Sequence, residues 1–267
     1  MKRKIIGIIV VLCTLVTAMA QDVLVIPYDA TSLTDEQRNA NPTYMVYPKS
    51  LEGKDSVILL CVCIEAVDLG LSVKWGTCNI GATRPEEYGL FFAWGETESK
   101  EDYWWTNYRY CNQQNEFYGG GMTKYCTNAA YGLPDSLNTL LREDDAASTH
   151  WQENWRMPTY EEGQELCQQC TWEWKERNGI YGFEVTGPNG NSIFMPTAGL
   201  YKEDSPVTTR PIVVTDPRKF NYWLSSLGVL SPYAYQIWNQ SGDTSQPHLI
   251  VANTPRYIGM PIRPVCP

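Results

Sequence analysis

The chain has 267 residues and a formal net charge of -9, so it is long enough to bury a core as one large domain or two small ones. Aromatic residues make up 12% of it, which excludes a disordered chain, a coiled coil and a collagen-like chain. The acidic balance, without any basic stretch, argues against nucleic acid and anionic membrane surfaces as partners. The chain has only two histidines, which limits hydrolytic and zinc chemistry.

Residues 1–20 have the pattern of a cleaved signal peptide. Three basic residues at 2–4 precede a short apolar run at 5–16, and residues 18–20 read Ala-Met-Ala. The run is shorter than the roughly 20 residues that span a bilayer, and Cys13 lacks the small preceding residue of a lipoprotein signal. We therefore predict a secreted or outer-surface protein without a membrane span, with the periplasm as the alternative location.

An exported chain permits disulfides, and cleavage of the signal removes one of the nine cysteines and leaves an even number. The sequence cannot assign the connectivity. Two candidate pairings are Cys78 with Cys266, which would close most of the domain into one loop, and Cys111 with Cys126, which would staple a glycine-rich loop.

The signal is followed by an extended lead-in, residues 21–64, which is polar and punctuated by prolines and ends in a strand. The unbroken apolar run VILLCVCI at 57–64 predicts that buried strand. From Leu69 to Trp75, apolar residues alternate with smaller or polar ones, which predicts a half-buried strand.

The second half of the chain carries local signals for a helix and a hairpin. Thr159 followed three residues later by a glutamate forms a capping box, which predicts a helix that runs to about Cys170. Turn-forming residues at 187–191 lie between two strand-like segments at 181–186 and 192–195, which predicts a hairpin.

Two further strands are expected at 233–238 and 262–266. Strands with one or two helices and long irregular loops make an α+β domain. Large irregular loops on such a scaffold are where binding usually resides.

Several motifs of residues 65–267 follow one another in a familiar order. They are VDLGLSVKWGTCNIGATRPEEYGLFFAWGET at 67–97, EDDAA at 143–147, WRMPT at 155–159, CTWEW at 170–174, VTGPNGNSIFMPTAG at 185–199 and RPVC at 263–266. Together they resemble the Fibrobacter succinogenes major paralogous domain family of gut Bacteroidota. The WRMPT segment also resembles formylglycine-generating-enzyme-like folds. The resemblance implies a C-type-lectin-like α+β domain over residues 65–267, with short twisted antiparallel sheets, exported to the envelope.

The sequence lacks the groups that the most obvious chemistries require. An oxidase of the formylglycine-generating type needs a copper-binding pair of cysteines near the end of the fold, but only Cys266 lies beyond Cys170. The C-x-x-C of Cys167 and Cys170 falls at the end of the predicted helix, where the dipole opposes thiolate formation, so we interpret it as disulfide partners or buried thiols. No G-x-S-x-G elbow accompanies His150 or His248, and we expect no catalysis from either.

Asp144 and Asp145 belong to a run of three carboxylates, and calcium prefers clustered oxygen ligands. A calcium ion at Asp144 and Asp145 is one interpretation. The other is a solvated acidic turn or a carboxylate that caps backbone amides, which is favoured because no D-x-D-x-D-G loop is present. We expect no other cofactor.

Two stretches of the chain, 103–110 and 222–238, are rich in aromatic residues, and the last third, which holds the second stretch, also carries amide and guanidinium side chains. Such rings stack on sugars and form hot spots of protein contacts, although about half of those in the chain are expected to pack in the core. The candidate ligand-binding residues are Tyr222, Trp223, Tyr233, Tyr235, Trp238, Asn239, Asn253, Arg256 and Tyr257.

The sequence therefore predicts an exported binding domain that recognises a glycan, or a host or envelope protein, without catalysis. Two alternatives stay open at this point. One is a structural envelope or fimbria-associated subunit. The other is a metal-assisted hydrolase with dispersed residues, among them Asp144 and Asp145.

Overall fold

The structure is a computed structural model, and it describes residues 24–27, 56–59, 65–112, 120–151, 154–202, 212–214 and 219–267. Contacts along the chain divide it into two compact units, Met1–Cys63 and Ile64–Pro267. Among the described residues, no helix is both long enough and apolar enough to cross a bilayer.

The first unit contains an antiparallel pair of strands, β1 (Leu24–Pro27) and β2 (Ser56–Leu59). Strand β2 includes the first three residues of the strand predicted at 57–64. Residues 60–64 lie outside the described residues, and so does the predicted signal peptide at 1–20.

The second unit is a mixture of small antiparallel sheets and few helices. Its described strands are β3 (Ala66–Val67), β4 (Lys74–Gly76), β5 (Thr171–Arg177), β6 (Ile180–Thr186), β7 (Ser192–Pro196), β8 (Leu200–Lys202), β9 (Ile212–Val214), β10 (Asn221–Leu227), β11 (Tyr233–Asn239), β12 (Leu249–Pro255) and β13 (Val265–Cys266). They form sheets with the strand orders β13-β4-β3, β5-β6-β7, β8-β9 and β10-β11-β12. The described α-helices are α1 (Ala146–Trp151) and α2 (Tyr160–Gln169). This mixed architecture is compatible with the predicted α+β class.

The predicted helix is confirmed as α2, and its capping box is formed. Thr159 Oγ1 accepts a hydrogen bond from the Glu162 amide at 3.3 Å, and the Glu162 carboxylate accepts one from the Thr159 amide at 2.8 Å. Two amide groups that the first helical turn would leave unpaired are thereby satisfied. The helix ends at Cys170, which adopts an extended conformation.

The predicted hairpin is confirmed as β6–β7, and the strand expected at 233–238 is confirmed as β11. The segment 262–266 forms a strand only in its last two residues. From Leu69 to Trp75 the predicted alternation of burial is present, but the strand β4 begins only at Lys74. The reason is that the Ser72 amide pairs with the Glu165 carboxylate at 3.0 Å rather than with another strand.

Helix α2 packs on the sheet β10-β11-β12. Gly163 makes this close approach possible, because a Cβ atom at this position would lie 2.7 Å from Leu224 Cδ1. Between the helix, this sheet and β5-β6-β7 lies a hydrophobic cluster that we call the sheet core. Its buried residues include Leu69, Trp75, Leu166, Phe183, Val185, Ile193, Met195, Phe220, Tyr222, Leu224 and Ile237.

A second hydrophobic cluster, which we call the aromatic core, is assembled mostly from irregular segments. Its buried residues include Phe92, Trp94, Tyr103, Trp105, Tyr108, Tyr110, Tyr125, Trp223, Tyr257 and Met260. The C-terminal segment ties this core to the start of the unit, because Phe92 and Met260 exchange two backbone hydrogen bonds of 3.0 Å and the Gly76 amide donates to Pro264 O at 2.8 Å. The loops around the aromatic core are therefore fixed by backbone pairing as well as by packing.

The ion pair at the start of α2 predicts a pH dependence of stability. Burial by itself raises the pKa of Glu162, but the bidentate Arg156 guanidinium and the Thr159 amide outweigh burial and hold this pKa below its usual range. A carboxyl with a lowered pKa stabilises the fold above its unfolded pKa of about 4.3, and that stability is lost as the pH falls through the folded pKa.

We therefore expect Glu162→Gln to lower the unfolding free energy by about 1 kcal/mol at pH 7 and to flatten the loss of stability below about pH 4.5. Thermal unfolding followed by circular dichroism between pH 3 and 7 measures both effects. Glu161→Gln, at an exposed position of the same helical turn, is the matched control. An unchanged acid limb in the Glu162 variant would contradict this assignment.

Candidate functional site

The nine predicted ligand-binding residues divide into a surface group and a buried group. Tyr233, Tyr235 and Trp238 are half-buried on β11, and Asn253 is exposed on β12. The other five are buried, so their side chains do not lie on the surface of this structure. They are Tyr222, Trp223, Asn239, Arg256 and Tyr257.

Tyr222 and Trp223 are both buried because the two faces of β10 are both covered. Tyr222 enters the sheet core, where its hydroxyl donates to Pro196 O at 2.8 Å and burial raises its pKa to about 12. Trp223 enters the aromatic core, where its indole Nε1 donates to Phe92 O at 2.8 Å. A strand with one face in each core cannot present either of these rings to solvent.

Arg256 is fully buried, and its guanidinium is satisfied by the protein itself. Its Nε donates to the Tyr108 hydroxyl at 2.8 Å, and its Nη1 donates to Tyr125 O at 3.1 Å and Ser231 O at 2.9 Å. Its Nη2 donates to Lys124 O at 3.1 Å. The side chain is therefore a structural anchor that joins three separate segments of chain.

Aromatic rings enclose the same guanidinium. Its Cζ lies 4.8 Å from the centre of the Trp94 ring and 5.3 Å from that of Tyr108. A cation over the face of a ring is attracted by the ring quadrupole, and more strongly when both are removed from water. Nearby, Tyr257 packs edge-on at 4.8 Å against both Trp104 and Trp105.

Asn239 stabilises the loop between β11 and β12. Its side-chain oxygen accepts hydrogen bonds from the His248 amide and from the Ser241 hydroxyl, both at 3.0 Å. Its amide nitrogen donates to Asp243 O at 3.2 Å. This predicted binding residue is therefore engaged in holding a turn.

Asp144 is buried in the aromatic core and accepts hydrogen bonds from Lys124 and from the hydroxyls of Tyr110 and Tyr125. Burial by itself raises the pKa of Asp144, but these three donors outweigh it and hold the pKa below its usual range. Burial is the main cause that raises the pKa values of Tyr110 and Tyr125, and their hydrogen bonds to Asp144 raise them further. The cluster is thus a carboxylate shared by two neutral phenols and an ammonium.

Asp145 caps α1 rather than facing outward. One of its oxygens accepts from the Ser148 amide at 2.9 Å and the other from the Met157 amide at 2.8 Å, while burial raises its pKa. Both oxygens of each of the two carboxylates thus already accept a hydrogen bond from protein, and for Asp145 this is the predicted alternative of a carboxylate that caps backbone amides. Among the described residues, no group of three or more histidine, cysteine or acidic side chains is placed to hold a metal ion.

Neither candidate disulfide is formed. Cys111 donates to Gly120 O at 3.1 Å, whereas Cys126 donates to Asn128 O at 3.2 Å, so the two thiols engage different carbonyl groups. Cys78 is a buried free thiol that accepts from the Thr77 hydroxyl at 3.7 Å, and Cys266 is also free.

The C-x-x-C at the end of α2 consists of two free thiols. Burial, followed by the neighbouring Cys170, raises the pKa of Cys167 to about 12. Burial and the Glu165 carboxylate raise that of Cys170 to about 11. Both thiols are therefore protonated and unreactive near neutral pH, in agreement with the interpretation as buried thiols.

The two histidines occupy different environments. His150 Nε2 lies 2.8 Å from Thr97 O, and its ring packs edge-on against Phe92 at 5.4 Å. His248 is exposed at the end of the loop before β12. The contacts of His150 are those of a packing residue.

A cleft of about 560 Å³, which we call the tyrosine cleft, lies elsewhere on the second unit. It is lined by residues 88–91 and 99–101 together with Tyr103 and Tyr201. Its size is within the range of about 300–1,000 Å³ that is usual for small-molecule sites. Sequence reasoning missed it because Tyr201 lies far along the chain from the segment 88–103 that supplies the rest of the lining, and because Tyr88 and Tyr201 lie outside the aromatic-rich stretches at 103–110 and 222–238.

The rim of the tyrosine cleft at Tyr88 is positioned by a tight turn. Gly89 has a φ of +72°, and a Cβ at this position would lie 2.3 Å from Ile80 O, so only glycine fits. The turn is held by hydrogen bonds from the Asn79 side chain to Tyr88 O at 3.0 Å and from the Leu90 amide to Ile80 O at 2.8 Å.

The opposite wall, which contains Tyr103 and Tyr201, is also held by packing and by hydrogen bonds. The ring of Tyr201 packs edge-on against Phe91 at 4.6 Å and lies 5.9 Å from Tyr103. Tyr201 and Gly259 exchange two backbone hydrogen bonds of 2.8 Å. The Tyr103 hydroxyl donates to Phe91 O at 2.6 Å. The cleft is therefore preformed, which lowers the entropic cost of binding.

No family model matches the chain, and no solved structure matches it. The resemblance to the Fibrobacter succinogenes major paralogous domain family therefore stays a prediction based on its motifs. Because a fold does not fix a function, the function is inferred from the chemistry of the site.

The role of Arg256 predicts a large and specific loss of stability. Arg256→Met removes the donors of three carbonyl oxygens and one hydroxyl that are buried in the aromatic core, and each unsatisfied group costs about 1–3 kcal/mol. We expect urea unfolding to show a decrease of at least about 3 kcal/mol. Arg84→Met is the control, because that side chain is 61% exposed and its loss should change stability by no more than about 0.5 kcal/mol. Equal stabilities of the two variants would show that Arg256 is not an anchor.

Proposed function

We propose that this chain is an exported, C-type-lectin-like binding domain that recognises a glycan or a protein ligand without making or breaking covalent bonds. The observation that carries the proposal is the tyrosine cleft, a preformed concave site on a scaffold whose loops are fixed by buried anchors. The signal-peptide pattern at 1–20 and the ordered motifs of residues 65–267 support export and the lectin-like class.

The chemistry of the cleft favours recognition over catalysis. Catalysis needs a positioned acid, base or nucleophile with a matched pKa. Besides its tyrosines, among which burial raises the pKa of Tyr103, the ionisable groups at the cleft are Lys100, which is engaged by Glu96 and by Asn107 O, and Glu101, which is exposed. The remaining lining offers rings, hydroxyls and peptide groups, which are the elements that orient a ligand.

Binding of the purified mature chain to surface-bound mucin tests this proposal. We expect binding, measured by biolayer interferometry, to intact mucin. Loss of the signal after periodate oxidation of the sugars identifies a glycan ligand, and an unchanged signal identifies a protein ligand. A folded chain, verified by circular dichroism, that binds neither mucin nor a printed array of microbial, plant and host glycans would contradict the proposal.

A further inference from the structure

The tyrosine cleft has features that define its ligand more narrowly. Its rim residue Tyr88 is 36% exposed and Tyr201 is half-buried, so parts of two tyrosine side chains are accessible to a ligand. In the part of the chain that the structure describes, neither hydroxyl of these two residues has a hydrogen-bond partner, whereas the Tyr103 hydroxyl beneath them is engaged by Phe91 O and the Lys100 amide. The cleft therefore offers apolar ring surface together with two uncommitted polar groups.

Charge at the cleft disfavours a positively charged ligand. The Lys100 ammonium lies 2.8 Å from the Glu96 carboxylate, donates to Asn107 O at 3.0 Å and lies 5.5 Å from the centre of the Tyr103 ring. The Tyr103 ring is thus already in contact with the Lys100 cation, and the Glu96 carboxylate neutralises the charge of that cation. At the Tyr103 ring, a second cation would be repelled by the Lys100 ammonium that already lies over it.

A negatively charged ligand is disfavoured as well. The positive charge of Lys100 is balanced by Glu96, and the exposed Glu101 adds a carboxylate to the lining. The lining therefore offers an anion no unpaired positive charge. The ligand that remains is uncharged.

We infer that the tyrosine cleft binds an uncharged pyranose sugar, with an apolar face of the sugar ring against Tyr88 or Tyr201 and its hydroxyls paired with the two tyrosine hydroxyls. This inference rests on the proposed binding function and names the ligand class of that site. A sugar ring has C–H faces that pack on aromatic rings and hydroxyls on its edge. The cleft offers a partner to each, namely its exposed ring surface and its two tyrosine hydroxyls. An aromatic peptide side chain would use the rings and leave the polar groups without partners, at a cost in affinity.

The test is saturation-transfer NMR and calorimetry on the purified mature chain with four kinds of probe. The uncharged probes are the methyl glycosides of glucose, galactose, mannose and N-acetylglucosamine. Glucuronic acid is the anionic probe, glucosamine the cationic probe and N-acetyltyrosinamide the aromatic one. We expect at least one methyl glycoside to bind, and the charged and aromatic probes to bind at least about tenfold more weakly, which corresponds to about 1.4 kcal/mol.

Two variants place the binding in the cleft, and a third controls for loss of an exposed tyrosine. Tyr88→Ala should weaken binding of the methyl glycoside about tenfold, and Ser99→Trp should block binding by filling the cleft. Tyr181→Ala removes a tyrosine that is 43% exposed and lies outside the cleft lining, and it should leave the affinity unchanged. Circular dichroism verifies that each variant is folded.

The outcomes separate this inference from the proposed function. Binding of only the charged or aromatic probes, or of none of the probes, overturns the inference. The same holds if a methyl glycoside binds but both folded cleft variants retain the wild-type affinity. In any of these cases, binding of the chain to mucin or to the glycan array would preserve the proposed function and would locate its site elsewhere.

Discussion

The second unit depends on the burial of the Arg256 guanidinium. Moving an unpaired charge out of water costs far more than a small domain can supply, so this side chain can be buried only if each of its donors finds an oxygen. The oxygens come from Tyr108, Lys124, Tyr125 and Ser231. Three loops must therefore converge on one point, and the aromatic core forms around it. Arg263 meets the same constraint near the sheet core, where its donors reach Asn79 Oδ1 and the carbonyl oxygens of residues 76, 77 and 194.

These anchors explain why a domain with short sheets and long loops presents a preformed site. The C-terminal segment that carries both arginines also pairs with residues 75–94 and with Tyr201. The walls of the tyrosine cleft are drawn from these same segments. The buried anchors thus hold the walls of the cleft in place. This reduces the entropic cost of ordering the protein when a ligand binds.

Features governed by neighbours in sequence could be predicted, and features governed by distant contacts could not. The capping box of Thr159 and Glu162 and the turn of the β6–β7 hairpin depend on a few adjacent residues, and both were predicted correctly. The burial of Tyr222 and Trp223 depends on what covers each face of β10, which composition does not reveal. In the same way, Arg256 has the appearance of an adaptable surface group until its partners, far away along the chain, are known.

The tyrosine cleft was missed for a related reason. A search for clusters of aromatic residues in the sequence finds the rings that build cores, since cores need many large side chains close together. The rings that line the cleft are few and come from separate segments. Tyr88 is marked only by the adjacent Gly89, whose turn holds it at the rim.

Hydroxyl-radical footprinting with mass spectrometry tests most directly whether the rings of the last third of the chain point inward while the cleft faces solvent. Oxidation rates in the native chain, normalised to those of the unfolded chain, should be high for Tyr88 and Tyr201 and low for Tyr222, Trp223 and Tyr257. Rapid oxidation of Trp223 and Tyr257 together with protection of Tyr88 would contradict the account.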